Sequence, residues 1–278
     1  MTATSSTNPD HIAFIGGGNM ASAIIGGLLK RGMPAARIQV LEPYAEQREK
    51  LVQQFGIEVN ETASAALARS SLVVWAVKPQ TFREAARQVS VHTQGALHLS
   101  VAAGIRSDSI ARWLGTERVV RAMPNTPALI GKGITALFAR PAVTAKDRDW
   151  VGRVMATTGE FLWLEAEEQL DAVTALSGSG PAYMFYFMEA MTTAGTEMGL
   201  SREQAHKLAV ATFIGAGELA RSTSESPKVL RERVTSKGGT TFAAISSMEE
   251  DDIQAQFINA MYAARQRAQE LGDEFGDA

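Results

Sequence analysis

Between His11 and Leu164 short apolar runs alternate with segments of helical period, and some runs are apolar at consecutive positions, as in Val73-Val74-Trp75. A strand covered on one face alternates apolar with polar residues. One that is apolar at successive positions has to be covered on both faces, as the central strands of a parallel sheet are. The runs His11–Ile15, Arg37–Leu41, Ser71–Val77, Ala96–Val101, Arg118–Met123, Gly133–Phe138 and Glu160–Leu164 read as strands. Their alternation with helical segments predicts βαβ units and a doubly wound, mainly parallel α/β sheet. After Leu164 no further strand is apparent. Pro181–Met198, Arg202–Arg221, Pro227–Val234, Thr240–Met248 and Asp252–Leu271 read as helices. A length of 278 residues favours two domains, and the change of texture puts them at 1–165 and 166–278.

The run Phe14-Ile15-Gly16-Gly17-Gly18-Asn19-Met20-Ala21 joins the first strand to an apolar-periodic helix. Gly16 permits the tight turn, Gly18 lets the backbone approach a pyrophosphate, and Ala21 lets helix and strand pack closely. The helix N-terminus adds amide donors and positive potential. In its strand–turn–helix setting this is the dinucleotide fingerprint of a Rossmann-type domain, with Gly16, Gly17, Gly18, Asn19, Met20 and Ala21 as cofactor residues.

Other motifs stand where such a sheet binds ligands, beyond the carboxyl ends of its strands. Ala76-Val77-Lys78-Pro79 closes one strand and Ala102-Ala103-Gly104 the next. Lys78 is either a solvated surface charge or a cofactor contact. Met123-Pro124-Asn125-Thr126-Pro127 brackets two hydrogen-bonding side chains with prolines, which fixes a loop suited to a nicotinamide ring, with Asn125 as its candidate contact; an ordinary proline-bounded loop is the alternative. Ser177-Gly178-Ser179-Gly180-Pro181 opens the long apolar helix Pro181–Met198, and Thr235-Ser236-Lys237-Gly238-Gly239-Thr240-Thr241 is a second small-residue turn before a helix. Either turn can expose amides to a carboxylate, and capping alone also accounts for each.

Composition narrows the classes. With 27 basic and 30 acidic side chains, a net charge of -3 and no run of like charge, nucleic acid and anionic membrane are poor partners. The absence of cysteine excludes disulfides, thiolate metal sites and a catalytic thiol. His11, His92, His98 and His206 lack metal-ligand spacing and read as structural or surface residues, so no metal is expected. The stretch Met1–Asp10 is polar, without the apolar segment of a secretory signal, and no run of 18 apolar residues occurs; a cytoplasmic protein is expected. Helix Pro181–Met198 is apolar around nearly its whole circumference and must be buried all round. An obligate homodimer achieves that more easily than a monomeric core with methionine filler.

The order GGGNMA, AVKP, AAGI, MPNTP, SGSGPAY and VTSKGGTT, from Gly16 to Thr241, resembles the pyrroline-5-carboxylate reductases over essentially the full chain. The resemblance implies a Rossmann domain followed by an all-helical dimerisation domain, often assembled further into decamers, and NAD(P)H-dependent reduction of 1-pyrroline-5-carboxylate to proline. It implies that Gly16–Ala21, Ala76–Pro79 and Ala102–Gly104 hold the dinucleotide. Ser236, Gly238, Gly239, Thr240 and Thr241 would form the substrate loop, with Ser177 nearby and the Thr241 hydroxyl at the ring nitrogen as the catalytic contact. Two positions depart from the family's pattern: Lys237 replaces a frequent proline, and Glu42 ends the second strand where NADPH-preferring members often carry serine. A carboxylate there accepts hydrogen bonds from the adenine ribose, so NADH is expected to serve at least as well as NADPH; Arg48 is a candidate cation for a phosphate. A β-hydroxyacid dehydrogenase shares the architecture but resembles its relatives in a lysine on the long helix, and 181–200 contains none. A dinucleotide-binding regulator without catalysis would have no use for the loop at 235–241.

Overall fold

The computed structural model describes residues 11–276; the stretch Met1–Asp10 lies outside them. Strands β1 (Ile12–Ile15), β2 (Ile38–Leu41), β3 (Glu58–Asn60), β4 (Leu72–Trp75), β5 (Leu97–Ser100), β6 (Val119–Met123), β7 (Gly133–Ala139) and β8 (Gly159–Trp163) form one sheet in the order β3-β2-β1-β4-β5-β6-β7-β8. Every neighbouring pair is parallel except β6 with β7. Helices α1 (Asn19–Lys30), α2 (Ala45–Phe55), α3 (Pro79–Val89), α4 (Ser107–Leu114) and α5 (Ala145–Met155) connect them. The seven expected strands are present. β3 was not expected: Glu58-Val59-Asn60 is a partly exposed edge strand with one apolar residue, and it carries no period to read.

The consecutive apolar runs are explained by the two covers. Phe14, Leu72, Val74 and Leu99 belong to the core on one face, and Ile15, Val73, Trp75 and Val119 to the core on the other. All four residues of β1 and of β4 are buried.

The remaining helices are α6 (Gln169–Val173), followed by one π-helical turn Thr174–Gly178, then α7 (Gly180–Glu197), α8 (Arg202–Arg221), α9 (Pro227–Arg233), α10 (Thr240–Glu250) and α11 (Ile253–Gly276). Contacts divide the chain into two compact units. One runs to Gly178 and takes up the chain again at Arg265; the other is Ser179–Ala264. The sequence division at 165/166 followed the last strand, whereas α6, the π turn and the end of α11 pack with the sheet. Within the helical unit α7 meets α8 where Gly195 faces Ala205, a contact so close that a Cβ on Gly195 would lie 2.9 Å from the alanine methyl. Tyr183 and Phe187 pack edge-on against Phe257, at centroid distances of 5.6 and 5.7 Å.

One buried polar group in the sheet should make the fold sensitive to acid. His98 on β5 accepts the indole N–H of Trp75 at its Nδ1 (3.0 Å) and faces the Thr93 carbonyl with its Nε2 (3.3 Å). Because indole nitrogen only donates, Nδ1 must keep its lone pair, and the neutral Nε2–H tautomer is fixed. Burial, helped by the charge of Arg118 and opposed by the Thr93 carbonyl, pushes the imidazole down from 6.5 to about 4. The folded pKa lies below the unfolded one, so the unfolded chain binds more protons between those values. Stability is full above about pH 6.5 and is lost as pH falls toward 4, by up to roughly 3 kcal/mol. His98→Gln should shrink the loss of urea midpoint between pH 7 and pH 4.5; an equal loss in both proteins would refute this.

Candidate active site

The chain runs from β1 outward through β2 and β3, then returns to β4 on the other side of β1. The crevice at this reversal, beyond the carboxyl ends of β1 and β4, is where open α/β sheets take ligands. The Gly16–Ala21 turn stands at the end of β1, Glu42 at the end of β2, Ala76–Pro79 at the end of β4 and Ala102–Gly104 at the end of β5.

Gly16 adopts φ +90°, and a Cβ on it would lie 2.6 Å from the Ala76 carbonyl oxygen. Its N–H donates to the Leu41 carbonyl at 2.8 Å, so the turn is bound to both neighbouring strand ends. Gly18 caps α1; a Cβ there would meet nothing within 4 Å, and no side chain caps the helix. With no acidic residue in the first turn, α1 offers its leading amides to an anion from an open approach. Ala21 is fully buried against the sheet. These residues fit the pyrophosphate of a dinucleotide.

Glu42 is only 5% exposed, and both of its oxygens are engaged. Oε2 accepts the Gly17 N–H at 2.8 Å and Oε1 accepts the Tyr44 N–H at 3.0 Å. Gln47 donates to the Gly17 carbonyl at 2.6 Å, so side chains grip both polar groups of Gly17. Gln47 was not singled out in the sequence, where no motif marks it. Arg48 donates to the carbonyls of Glu42 and Pro43 and pairs with Glu61 at 3.0 Å. Its guanidinium therefore fastens the β2–α2 connection. Lys78 is exposed and precedes α3, which starts at Pro79; the Lys78 carbonyl accepts the amide and hydroxyl of Thr81. Val77 is half-buried against the core beneath.

Asn125 is committed at both ends of its amide. Oδ1 accepts the Ile134 N–H at 3.0 Å, and Nδ2 donates to the Ser177 carbonyl at 3.2 Å. The side chain braces the proline-bounded loop to β7 and to the π turn; the Ser177 hydroxyl itself donates to the Val173 carbonyl at 3.3 Å. π-helical turns occur often at functional sites because they displace a helix from its regular path.

In the helical unit, Gly238 at φ +77° turns the chain, the Gly239 N–H donates to the Ser236 carbonyl at 2.9 Å, and Gly239 caps α10. The Thr235 hydroxyl is spent on the Arg231 carbonyl. The hydroxyls of Ser236, Thr240 and Thr241, by contrast, have no partner among the described residues, and no side chain caps α10. Free hydroxyls next to free helix-N-terminal amides form a donor set suited to a small carboxylate. Among the described residues no cluster of acidic or histidine side chains could hold a metal ion, and no helix is long and apolar enough to cross a membrane.

Two family models match the chain, the second starting close to the sequence boundary at 165/166. Residues 11–104 match the family described as NADP oxidoreductase coenzyme F420-dependent, and residues 167–271 match pyrroline-5-carboxylate reductase dimerisation. The chain is 46% identical to the pyrroline-5-carboxylate reductase of Pseudomonas aeruginosa, over 95% of this chain and 98% of that one. Among solved structures, a pyrroline-5-carboxylate reductase from Coxiella burnetii has 36% identity and a TM-score of 0.88, covering 94% of this chain and 98% of that one. The Plasmodium falciparum pyrroline carboxylate reductase, solved with NADP bound, has 25% identity and a TM-score of 0.84, covering 95% and 99%. With the glycine turn and the small-residue loop both in place and both halves matched, the chain belongs to the pyrroline-5-carboxylate reductase family.

Proposed function

We infer that this chain reduces 1-pyrroline-5-carboxylate to L-proline with a reduced nicotinamide dinucleotide, the last step of proline biosynthesis. The observation that carries this reading is one chain holding an open glycine turn at a sheet crevice and a loop of uncommitted hydroxyls and amides, within 46% identity to a reductase of that name. When bound, the reduced nicotinamide supplies a hydride. The imine carbon accepts it and the nitrogen keeps a proton, so the substrate reacts as the iminium and the protein needs no histidine or carboxylate as acid. The protein contributes position: the amides of Gly238, Thr240 and Thr241 and the Ser236 hydroxyl hold the carboxylate, Gly239 shapes the turn through the bond of its N–H to the Ser236 carbonyl, the Thr241 hydroxyl contacts the ring nitrogen, and Ser177 lines the substrate side. Gly16–Ala21, Ala76–Pro79 and Ala102–Gly104 hold the dinucleotide. Asn125 shapes the nicotinamide loop. Oxidation of NADPH or NADH on adding pyrroline-5-carboxylate tests the reading; cofactor oxidised only with other imines or with hydroxyacids would overturn it.

Cofactor choice turns on Glu42. Each of its oxygens accepts one amide bond and keeps one acceptor position that the protein does not use, on a side chain only 5% exposed. A 2′-phosphate brought within about 4 Å would be repelled by roughly 1 kcal/mol in water and about 4 at an intermediate dielectric. NADH should therefore serve at least as well as NADPH. Glu42→Ser should lower kcat/KM with both, since the turn loses its anchor, and should shift their ratio toward NADPH. A native preference for NADPH above tenfold would show that Glu42 stays out of the ribose site.

The working form is a homodimer. α7 is apolar all round, yet within one chain only Thr192 and Gly195 of it are buried, while Phe185 and Tyr186 are 60% and 70% exposed. A second chain supplies the missing cover. Sedimentation at micromolar concentration should give a dimer or a multiple of it, and a stable, active monomer would refute this. Further assembly into a decamer rests on the family resemblance, and cytoplasmic residence on the same resemblance and the cysteine-free sequence.

A further inference from the structure

We propose that the end of α11, with Glu167, positions the Ala102–Arg106 loop for the dinucleotide, so that side chains distant in sequence set cofactor affinity. The proposal rests on the reading above that Ala102–Gly104 contacts the cofactor. Several independent contacts meet this loop. Gly104 adopts φ +73°, and a Cβ on it would lie 3.1 Å from the Leu271 Cβ and 3.3 Å from the Phe275 ring, so the loop backbone lies directly against the helix. Arg106 pairs with Asp273 at 2.8 Å, and its guanidinium lies over Gly272, where a Cβ would come within 3.1 Å of it. From α4, the Ser109 hydroxyl and Arg112 donate to the Gly276 carbonyl at 3.3 and 2.9 Å.

Glu167 fixes Ser107, the residue that follows the loop. Its carboxylate accepts the Ser107 N–H at 2.6 Å and the Ser107 hydroxyl, and it pairs with Arg121 at 2.6 Å. Arg121 is 8% exposed, Ser107 1% and the Glu167 side chain 18%, so this charge-assisted clamp is largely shielded from solvent. Ala102 and Ile105 are buried, while Ala103 between them is exposed. The loop is thus anchored on both sides of its most exposed residue, Ala103, with Gly104 and Arg106 half-buried. A loop held in its binding shape has little freedom to lose when a ligand arrives; released from the helix, it would have to be ordered by the cofactor.

Positioning of this kind acts on cofactor binding and leaves the chemical step alone. The test uses the full-length protein and measures NADPH dissociation by fluorescence titration, alongside KM and kcat with pyrroline-5-carboxylate. Phe275→Ala should raise both the Kd and the KM for NADPH about three- to tenfold, with kcat at saturating NADPH and the KM for pyrroline-5-carboxylate unchanged. Phe275→Leu should restore most of the affinity. Asp273→Asn, on the surface, should raise the Kd about twofold, and it decides the matter should Phe275→Ala fail to fold. An unchanged Kd in the folded variants would overturn the proposal, as would a parallel loss in kcat and in both KM values. Ala103→Asp separates the two levels. If it weakens NADPH binding while the helix variants do not, positioning fails and the cofactor loop stands; if it leaves binding unchanged, both fall.

Discussion

Gly16→Ala should abolish cofactor binding and destabilise the sheet unit together. At φ +90° an L side chain is strained, and the new Cβ would sit 2.6 Å from a backbone carbonyl oxygen, that of Ala76, which cannot move without pulling the end of β4. The conformational cost and the overpacking together amount to roughly 2–5 kcal/mol. Gly18→Ala is the informative partner. Its Cβ meets no protein atom within 4 Å and its φ of -69° suits any residue, so stability should hold while the methyl occupies the approach of the pyrophosphate. Denaturant midpoints and dinucleotide titrations of the two variants should therefore separate: both lose affinity, and only the Gly16 variant loses stability. Equal destabilisation by both would mean that the turn is a packing motif without a ligand.

Thr241→Ala should lower kcat/KM for pyrroline-5-carboxylate by ten- to a hundredfold without stopping turnover. A hydrogen bond to a charged partner is worth about 1.5–3 kcal/mol, which converts to that range of rate. Thr241 stands in the first turn of α10 with its hydroxyl uncommitted among the described residues, so removing it breaks no internal bond and should leave stability close to native. Thr241→Ser keeps the hydroxyl and should recover most of the loss. Unchanged kcat/KM in the alanine variant would take Thr241 out of the mechanism.

How far the sequence discloses this molecule depends on where the determining contacts lie. Strands β1 and β4 were legible because burial on both faces writes an unbroken apolar run. β3 was not, since three residues at an edge need no pattern. The glycine turns were legible because their backbone geometry admits few other residues. The side chains that hold those turns were less so. Glu42 was read for the ribose, but its contacts with the amides of Gly17 and Tyr44 depend on how β2 and the turn meet in space. Asn125 was read as a nicotinamide contact, and its amide proves to be engaged with Ile134 and Ser177. The clamp of Glu167 on Ser107 and Arg121 joins residues far apart along the chain, and local period carries no trace of it. The contact division at 178/179 departs from the sequence boundary for the same reason: α6 and the end of α11 look like the other helices in sequence and differ only in what they pack on.

The hydride itself can be followed from cofactor to product. The protein would be incubated with pyrroline-5-carboxylate and NADH or NADPH carrying two deuterium atoms at the nicotinamide C4, and the product examined by mass spectrometry and NMR. The expected product is L-proline with a single deuterium on the ring carbon that was doubly bonded to nitrogen. Proline without label at that carbon, or labelled cofactor consumed with no proline formed, would contradict the proposed reduction.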